Sequence, residues 1–477
     1  MRYRTVAALL ALSLAAACGG RLSENDIQAQ LSADGGSGIG PGSRTAGAAG
    51  GATDDVAGGD GLTGGDAAGT GGGGGTAGGS GGGTGSGGGG GSAPGAPAGG
   101  NGGATDVAVT ATEVKIGNVS TLGGPVPGLF RGALVGTQAY FAYQNSIGGL
   151  YGRKFTIVSA DDNFDSGANR SKIKELQDKV FAFVGSFSLF DGAGAGEMKS
   201  SGVLDVGRSL SPERLALPNS FSPAPFEIGW PRTGCKWLAS RFPKDVIEKA
   251  AFFIGAADAA RNNANWQRKS CEAEGFKFVY TREVQPTESN FTGDVIQMRQ
   301  RDVKAVFVVF DVSGIARLFK SLYQQNFNPP LKYPSAAAYD GDFMGLVGAD
   351  AAEGILIGQS FAMFLGEDQG QFPEIGRFRE WMKRVAPSQK VDLFAMYGWL
   401  SGKLFIEAMQ KVGPKITRTA MIEALKGVHE FTGGMQTPVD VGAKKNPVCE
   451  MYMQVKAGKF TRVDPTTGFN CGTFQPF

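Results

Sequence analysis

The residues able to do chemistry in this chain mostly stand where a β-forming run gives way to a helix. The run 181–184 leads into Gly185-Ser186-Phe187-Ser188 and then the helix-prone DGAGAGEM. Hydroxyls such as Ser186 and Ser188, with free N–H groups at a helix start, suit a carboxylate or other anion. The run 203–206 ends in Gly207-Arg208-Ser209-Leu210-Ser211. Arg208 has the chemistry for a bidentate clamp on a carboxylate, and Asp205 and Glu213 are its alternative partners. The run 305–310 ends at Asp311, and 333–339 ends at Tyr339-Asp340. An acid facing a cleft offers a cation a short, charge-assisted bond, but YDGD is also an ordinary turn. Asp191 is expected to act as a plain N-cap.

Other chemistries find little support. The single histidine, His429, falls in an expected loop, and no G-x-S-x-G occurs in the body. Ser-His-Asp catalysis and His-based metal sites are therefore disfavoured, and no cofactor or metal is expected. The two GGGGG runs, 71–75 and 87–91, follow no expected strand and open no expected helix, so they are not phosphate loops. A net charge of +2 with 19% charged residues and no basic patch argues against nucleic acid. Four cysteines, Cys235, Cys271, Cys449 and Cys471, lack CxxC spacing and read as two structural disulfides. Three connectivities are possible. Cys235–Cys271 with Cys449–Cys471 is favoured, because each pair lies within one subregion.

The elements that must position these residues alternate. Strands are expected at 114–119, 155–159, 181–184 and 203–206, with helices at 131–147 and 167–180. The rhythm repeats with strands 250–254, 276–281 and 305–310, separated by helices near 258–274, 290–301 and 313–325. A strand at 355–358, helices at 373–385, 392–411 and 417–426, and a β-meander around 436–463 complete the body. Such βαβ alternation argues α/β lobes with parallel sheets covered on both faces. Two similar units without a disordered linker between them place the default ligand site in the cleft between them.

Ahead of this body, Arg2 and Arg4 precede a short apolar run ending in small residues and Cys18. The run is too short to span a bilayer and reads as a signal peptide, 1–17. The cysteine makes it resemble a bacterial lipoprotein signal, with Cys18 lipidated, although Leu14 lies four residues before it instead of the usual three. Residues 33–103 hold 35 of the 77 glycines, so 18–103 is expected to be a disordered tether.

The body resembles the extracytoplasmic solute-binding proteins of ABC importers, of the leucine/isoleucine/valine-binding type. The resemblance is carried by KIGNVSTLGGPVPG (115–128), IGGLYGRKFTIVSADD (147–162), FAFVGSFS (181–188), SLSPERL (209–215), AEGILIG (352–358) and AMYGW (395–399). It implies two doubly wound lobes joined by three crossovers: lobe one at 113–227 and 353–432, lobe two at 228–352 and 433–477. It also implies that Ser188 gives the ligand a hydroxyl, although a one-residue shift puts Leu189 there. Ser209 would bind ligand, Asp340 would take an ammonium group, and Phe130 with Leu129 would form an aromatic lid. The family's threonine position falls on Leu210, a departure. The function implied is a lipid-anchored monomer that captures a small polar solute and delivers it to ABC permease subunits. The alternative is a sensor that signals the same solute to a partner.

Overall fold

The structure, a computed structural model, describes residues 95–225 and 227–476. The expected signal peptide and lipidation site Cys18, with nearly all of the glycine-rich run, lie outside these residues. Strands β1 to β5 form one parallel sheet in the order β2-β1-β3-β4-β5. They are Glu113–Ser120, Lys154–Asp161, Ala182–Val184, Leu204–Val206 and Ser220–Phe221. After the short β6 (Gly229–Pro231), strands β7 (Ala250–Gly255), β8 (Phe278–Val284), β9 (Ala305–Val309) and β10 (Leu331–Pro334) form a second parallel sheet, ordered β10-β9-β7-β8. A third, antiparallel sheet lies at the crossovers. It joins β11 (Leu356–Gln359), β12 (Cys449–Lys456), β13 (Lys459–Asp464) and β14 (Asn470–Cys471), and β15 (Phe474–Pro476) pairs with β6. The two parallel sheets make two lobes, and the chain crosses between them three times.

Strand burial follows from helices on both faces. Phe252 packs in a cluster on one side of β7, with Phe307 and Tyr333, and Phe253 packs in the main core on the other. Consecutive side chains point to opposite faces of a sheet, and both faces here are covered, so the strand is apolar throughout.

Helices of eight residues or more are numbered α1 (Arg131–Ser146), α2 (Ser166–Leu176), α3 (Arg232–Arg241), α4 (Asp258–Glu272), α5 (Thr292–Gln300), α6 (Val312–Gln324), α7 (Pro373–Val385), α8 (Leu393–Val412) and α9 (Arg418–Lys426). Helices α1 and α8 meet backbone to backbone. A Cβ on Gly136 would overlap the carbonyl of Ala395, and one on Gly398 would overlap that of Ala133. A Cβ on Gly185, just beyond β3 at φ +66°, would overlap the Thr137 hydroxyl and stand 3.3 Å from the Gly398 Cα.

Several expectations are corrected. The strand expected at 333–339 stops at Pro334 and is followed by a 3₁₀ turn, Ala336–Ala338. An alanine run has little strand preference. The meander expected from 436 begins only at Cys449; 431–439 contributes isolated bridges, Phe361 to Gln436 and Phe431 to Val439. Pro438 and Pro447 remove ladder donors there. The tether's expected end at 103 is also too late. Asn101 is buried, its amide donating to the carbonyls of Ala111 and Tyr151 at 2.7 and 2.8 Å. Arg153 donates to the carbonyls of Asn101 and Gly103 at 2.6 and 3.0 Å. The disulfides are Cys235–Cys271 and Cys449–Cys471, the favoured pairing.

Gly136→Val or Gly398→Val should each lower unfolding stability by about 1–3 kcal/mol or more, since backbone occupies the space a side chain needs. Chemical denaturation measures this, and an unchanged midpoint would mean that the two helices can part without loss.

Candidate functional site

A cavity of about 290 Å³ lies between the lobes. Its walls come from the carboxyl ends of the parallel strands: Leu129 and Phe130 after β1, Phe187 and Leu189 after β3, Arg208 and Leu210 after β4. The second lobe supplies Ala256 and Ala257 after β7, Phe310 and Asp311 after β9, and Ser335 to Ala337 after β10. This is where open α/β sheets present their loops to ligand. The crossovers close it with Trp230, Gln359, Phe361, Asn446 and Glu450.

The first-lobe wall is aromatic because of the glycine crossing. Phe130 caps α1, Phe394 and Tyr397 open α8, and Phe187 follows Gly185. Their ring centroids stand 4.5 Å (Phe130–Phe187), 4.6 Å (Phe130–Phe394) and 4.9 Å (Phe187–Phe394) apart, within the range of favourable aromatic pairs. Tyr397 stacks on Phe187 and meets Phe361 edge-on at 5.4 Å.

The expected site residues divide. Phe130, Arg208 and Asp311 border the cavity. The Arg208 guanidinium lies 5.4 Å over the Tyr397 ring and donates to the carbonyl of Ala224. Asp311 caps α6 by accepting from the Gly314 N–H at 3.0 Å, and burial raises its carboxyl above the usual range.

The hydroxyls face elsewhere. Ser186 Oγ accepts from the Val119 N–H at 3.0 Å, and Ser188 Oγ donates to buried Asp162 while accepting from the Phe190 N–H. Phe187 and Leu189 take the cavity side of that loop. Ser209 joins Ser220 at 3.1 Å, beside the buried Arg214–Asp205 pair. Asp191 caps the neighbouring loop, accepting from the N–H groups of Leu210 and Ser211 at 2.7 and 3.1 Å.

Tyr339 is fully buried, its hydroxyl donating to Glu367 at 2.6 Å. Asp340 lies at the rim of the seam, outside the cavity lining. Its neighbour Gly341 donates to the carbonyl of Val391 at 3.1 Å, one residue before Asp392. Asp392 caps α8 through Ala395 at 2.6 Å. Burial pushes Asp392 up to about 7 and Asp340 to about 6, and Asp340 adds repulsion at Asp392.

Sequence reading missed Glu450, Tyr333 and Phe394. Glu450 adjoins a cysteine read as a staple, and Tyr333 lies in a strand whose end was misplaced. Phe394 directly precedes a motif noted only for its resemblance. Burial raises the Glu450 carboxyl to about 7, and its Oε2 accepts from the Tyr452 hydroxyl at 3.0 Å.

The periplasmic binding protein family model matches residues 113–459. The chain belongs to this family. Its members are extracytoplasmic solute-binding proteins rather than enzymes. Similar solved structures include a branched-chain amino acid ABC transporter from Thermus thermophilus with bound valine, at 16% identity and TM-score 0.65, covering 76% of this chain and 97% of that one. A solute-binding protein of an ABC transporter from R. palustris, in complex with benzoate, has 18% identity and TM-score 0.64, covering 76% and 98%. A fatty acid ABC transporter substrate-binding protein from Thermomonospora curvata has 18% identity and TM-score 0.64, covering 75% and 93%. At these identities the likeness is one of fold. No curated protein matches the chain. No helix among the described residues is long and apolar enough to cross a membrane.

Two outcomes follow from this packing. Ser188→Ala removes one of the two donors on a buried Asp162 oxygen, leaving Asn169 at 3.0 Å, and takes the acceptor from the Phe190 N–H. It should cost about 1–3 kcal/mol of stability, and an unchanged denaturation midpoint would show that the hydroxyl is dispensable there. Asp340 and Asp392 hold protons that unfolded carboxyls release near 3.8. Stability should therefore fall as pH rises from about 4 through 7. Between pH 5 and 8 the parent should lose more than Asp392→Asn, whose carboxamide keeps the cap. Equal slopes in thermal melts would mean that Asp392 is ionised throughout.

Proposed function

We propose that the protein captures a small solute in the inter-lobe cavity and delivers it to the permease subunits of an ABC importer. In this reading it is held at the outer face of the membrane by a lipid on Cys18. The observation that carries it is the position of the cavity, at the carboxyl ends of both parallel sheets and bordered by all three crossovers. A ligand there touches both lobes at once, and only such a ligand shifts the population towards the closed form that a permease could distinguish. Family membership and the ABC-transporter identity of the similar structures support the same role.

The wall chemistry refines the solute. The expectation was a small polar molecule. Phe130, Phe187, Phe394, Phe361 and Tyr397 instead offer an apolar, partly stacked surface, so the solute has an apolar or planar body with few polar groups. A thermal-shift screen of the full-length protein against amino acids, amides, aromatic acids and short peptides tests this. A ligand at one hundred times its Kd should add about 2.7 kcal/mol of stability. Phe394→Ala should weaken that ligand about tenfold or more. A transition that no compound moves would count against the solute-binding role.

A further inference from the structure

We propose that the cleft selects solutes bearing a hydrogen-bond-donating nitrogen, a protonated amine or amidine on an apolar body, and that Glu450 with Tyr333 reads this group. This rests on the solute-binding reading above and names the polar end of the ligand.

Glu450, on β12, and Tyr333, on β10, reach the cavity from different sheets. Both oxygens crowd Gly234 of α3. A Cβ built there would stand 2.7 Å from Glu450 Oε2 and 3.3 Å from the Tyr333 hydroxyl, so the carboxyl and the phenol are neighbours on one stretch of the cavity wall. Oε2 has the Tyr452 hydroxyl as its donor. Oε1 and the Tyr333 hydroxyl make no hydrogen bond among the described residues. A half-used carboxyl in an apolar enclosure is costly unless a donor reaches it, and the cavity is the side from which one can come.

Among the described residues no cation pairs with this acid. The elements packed around it offer Gly234 and the Cys235–Cys271 disulfide from α3, Gln267 from α4, Tyr333 from β10, Gly358 from β11 and its own Tyr452. Burial holds its carboxyl up, and the Tyr452 hydroxyl opposes that. The cation of the described cavity lining, Arg208, is engaged with the Ala224 carbonyl and the Tyr397 face. Asp311 is engaged as a helix cap. Aromatic faces lining the same space also favour a cationic or planar nitrogen group.

The test titrates the full-length protein with phenethylamine and benzamidine, and with phenylacetate and benzoate as size-matched acids, by calorimetry at pH 6 and pH 8. The amine and amidine should bind about tenfold more tightly at pH 8, as the ionised fraction of an acid near pH 7 rises from about a tenth to about nine-tenths. Glu450→Gln should fold as the parent does, bind them at least tenfold more weakly and lose the pH dependence, and Tyr333→Phe should weaken them without removing it. Binding of the two acids but not the two bases, unaffected by Glu450→Gln, overturns the proposal and leaves the solute-binding role standing. Binding of none of the four overturns the proposal and also tells against the cleft as a small-molecule site.

Discussion

The contact of Gly136 and Gly398, with Gly185 wedged beside them, is the constraint from which the rest of the site follows. Without side chains between them, α1 and α8 lie close enough for each glycine to rest on a carbonyl of the other helix. That approach fixes the starts of both helices and the loop after β3 in one place. Phe130, Phe394, Tyr397 and Phe187 all hang from these three points, so the 4.5–4.9 Å tilted and edge-on contacts of the three phenylalanines, and the stacking of Tyr397 on Phe187 at 6.0 Å, are inherited from the backbone crossing. The aromatic wall is therefore rigid by construction, because moving one ring means separating two helices whose core faces are closely packed.

Polar groups around the cavity are disposed in the opposite way. Most are tied into the protein before any ligand arrives. Ser186 ties the loop after β3 to strand β1, Ser188 serves Asp162, and Asp191 holds the loop after β4 by two N–H groups. These bonds stiffen the first-lobe loops that carry the apolar wall. Asp311 and Arg208 border the space yet also have structural duties. Specificity by polar contact thus falls to few atoms, and shape and apolar area carry the larger share of recognition.

The fold was legible because its evidence is periodic. Alternating apolar runs and amphipathic helices placed the strands of both parallel sheets to within two or three residues, apart from the two-residue β5 (Ser220–Phe221), too short to show a period, and the strand after 330. The side on which a loop residue faces is another matter. In Gly185-Ser186-Phe187-Ser188-Leu189 a single change of parity decides whether serines or apolar residues line the cavity, and nothing local settles it. The structure puts Phe187 and Leu189 there because Asp162, distant in sequence, already claims Ser188. Tyr339 went astray for a related reason. Once β10 stops at Pro334, the three alanines turn the chain and bury that ring against Phe364 and Phe460. Glu450 could not be read at all, since its role depends on a glycine in α3 and a tyrosine in β10.

In the proposed solute-binding role, closure and ligand are coupled through the acids that remain. Glu450 in the cavity and Asp392 at the rim are both driven towards the neutral form by burial. Parting the lobes would return such groups to water, where ionisation costs little, so at neutral pH an empty, shut clamshell carries a desolvation cost that an open one escapes. A solute that donates hydrogen bonds inside the cavity removes part of that cost only when the lobes are together. The same burial that makes these carboxyls poor stabilisers of the empty state therefore makes closure conditional on an occupant. A cleft walled by hydrocarbon alone would lack this dependence, since apolar surface favours shutting whether or not anything is inside.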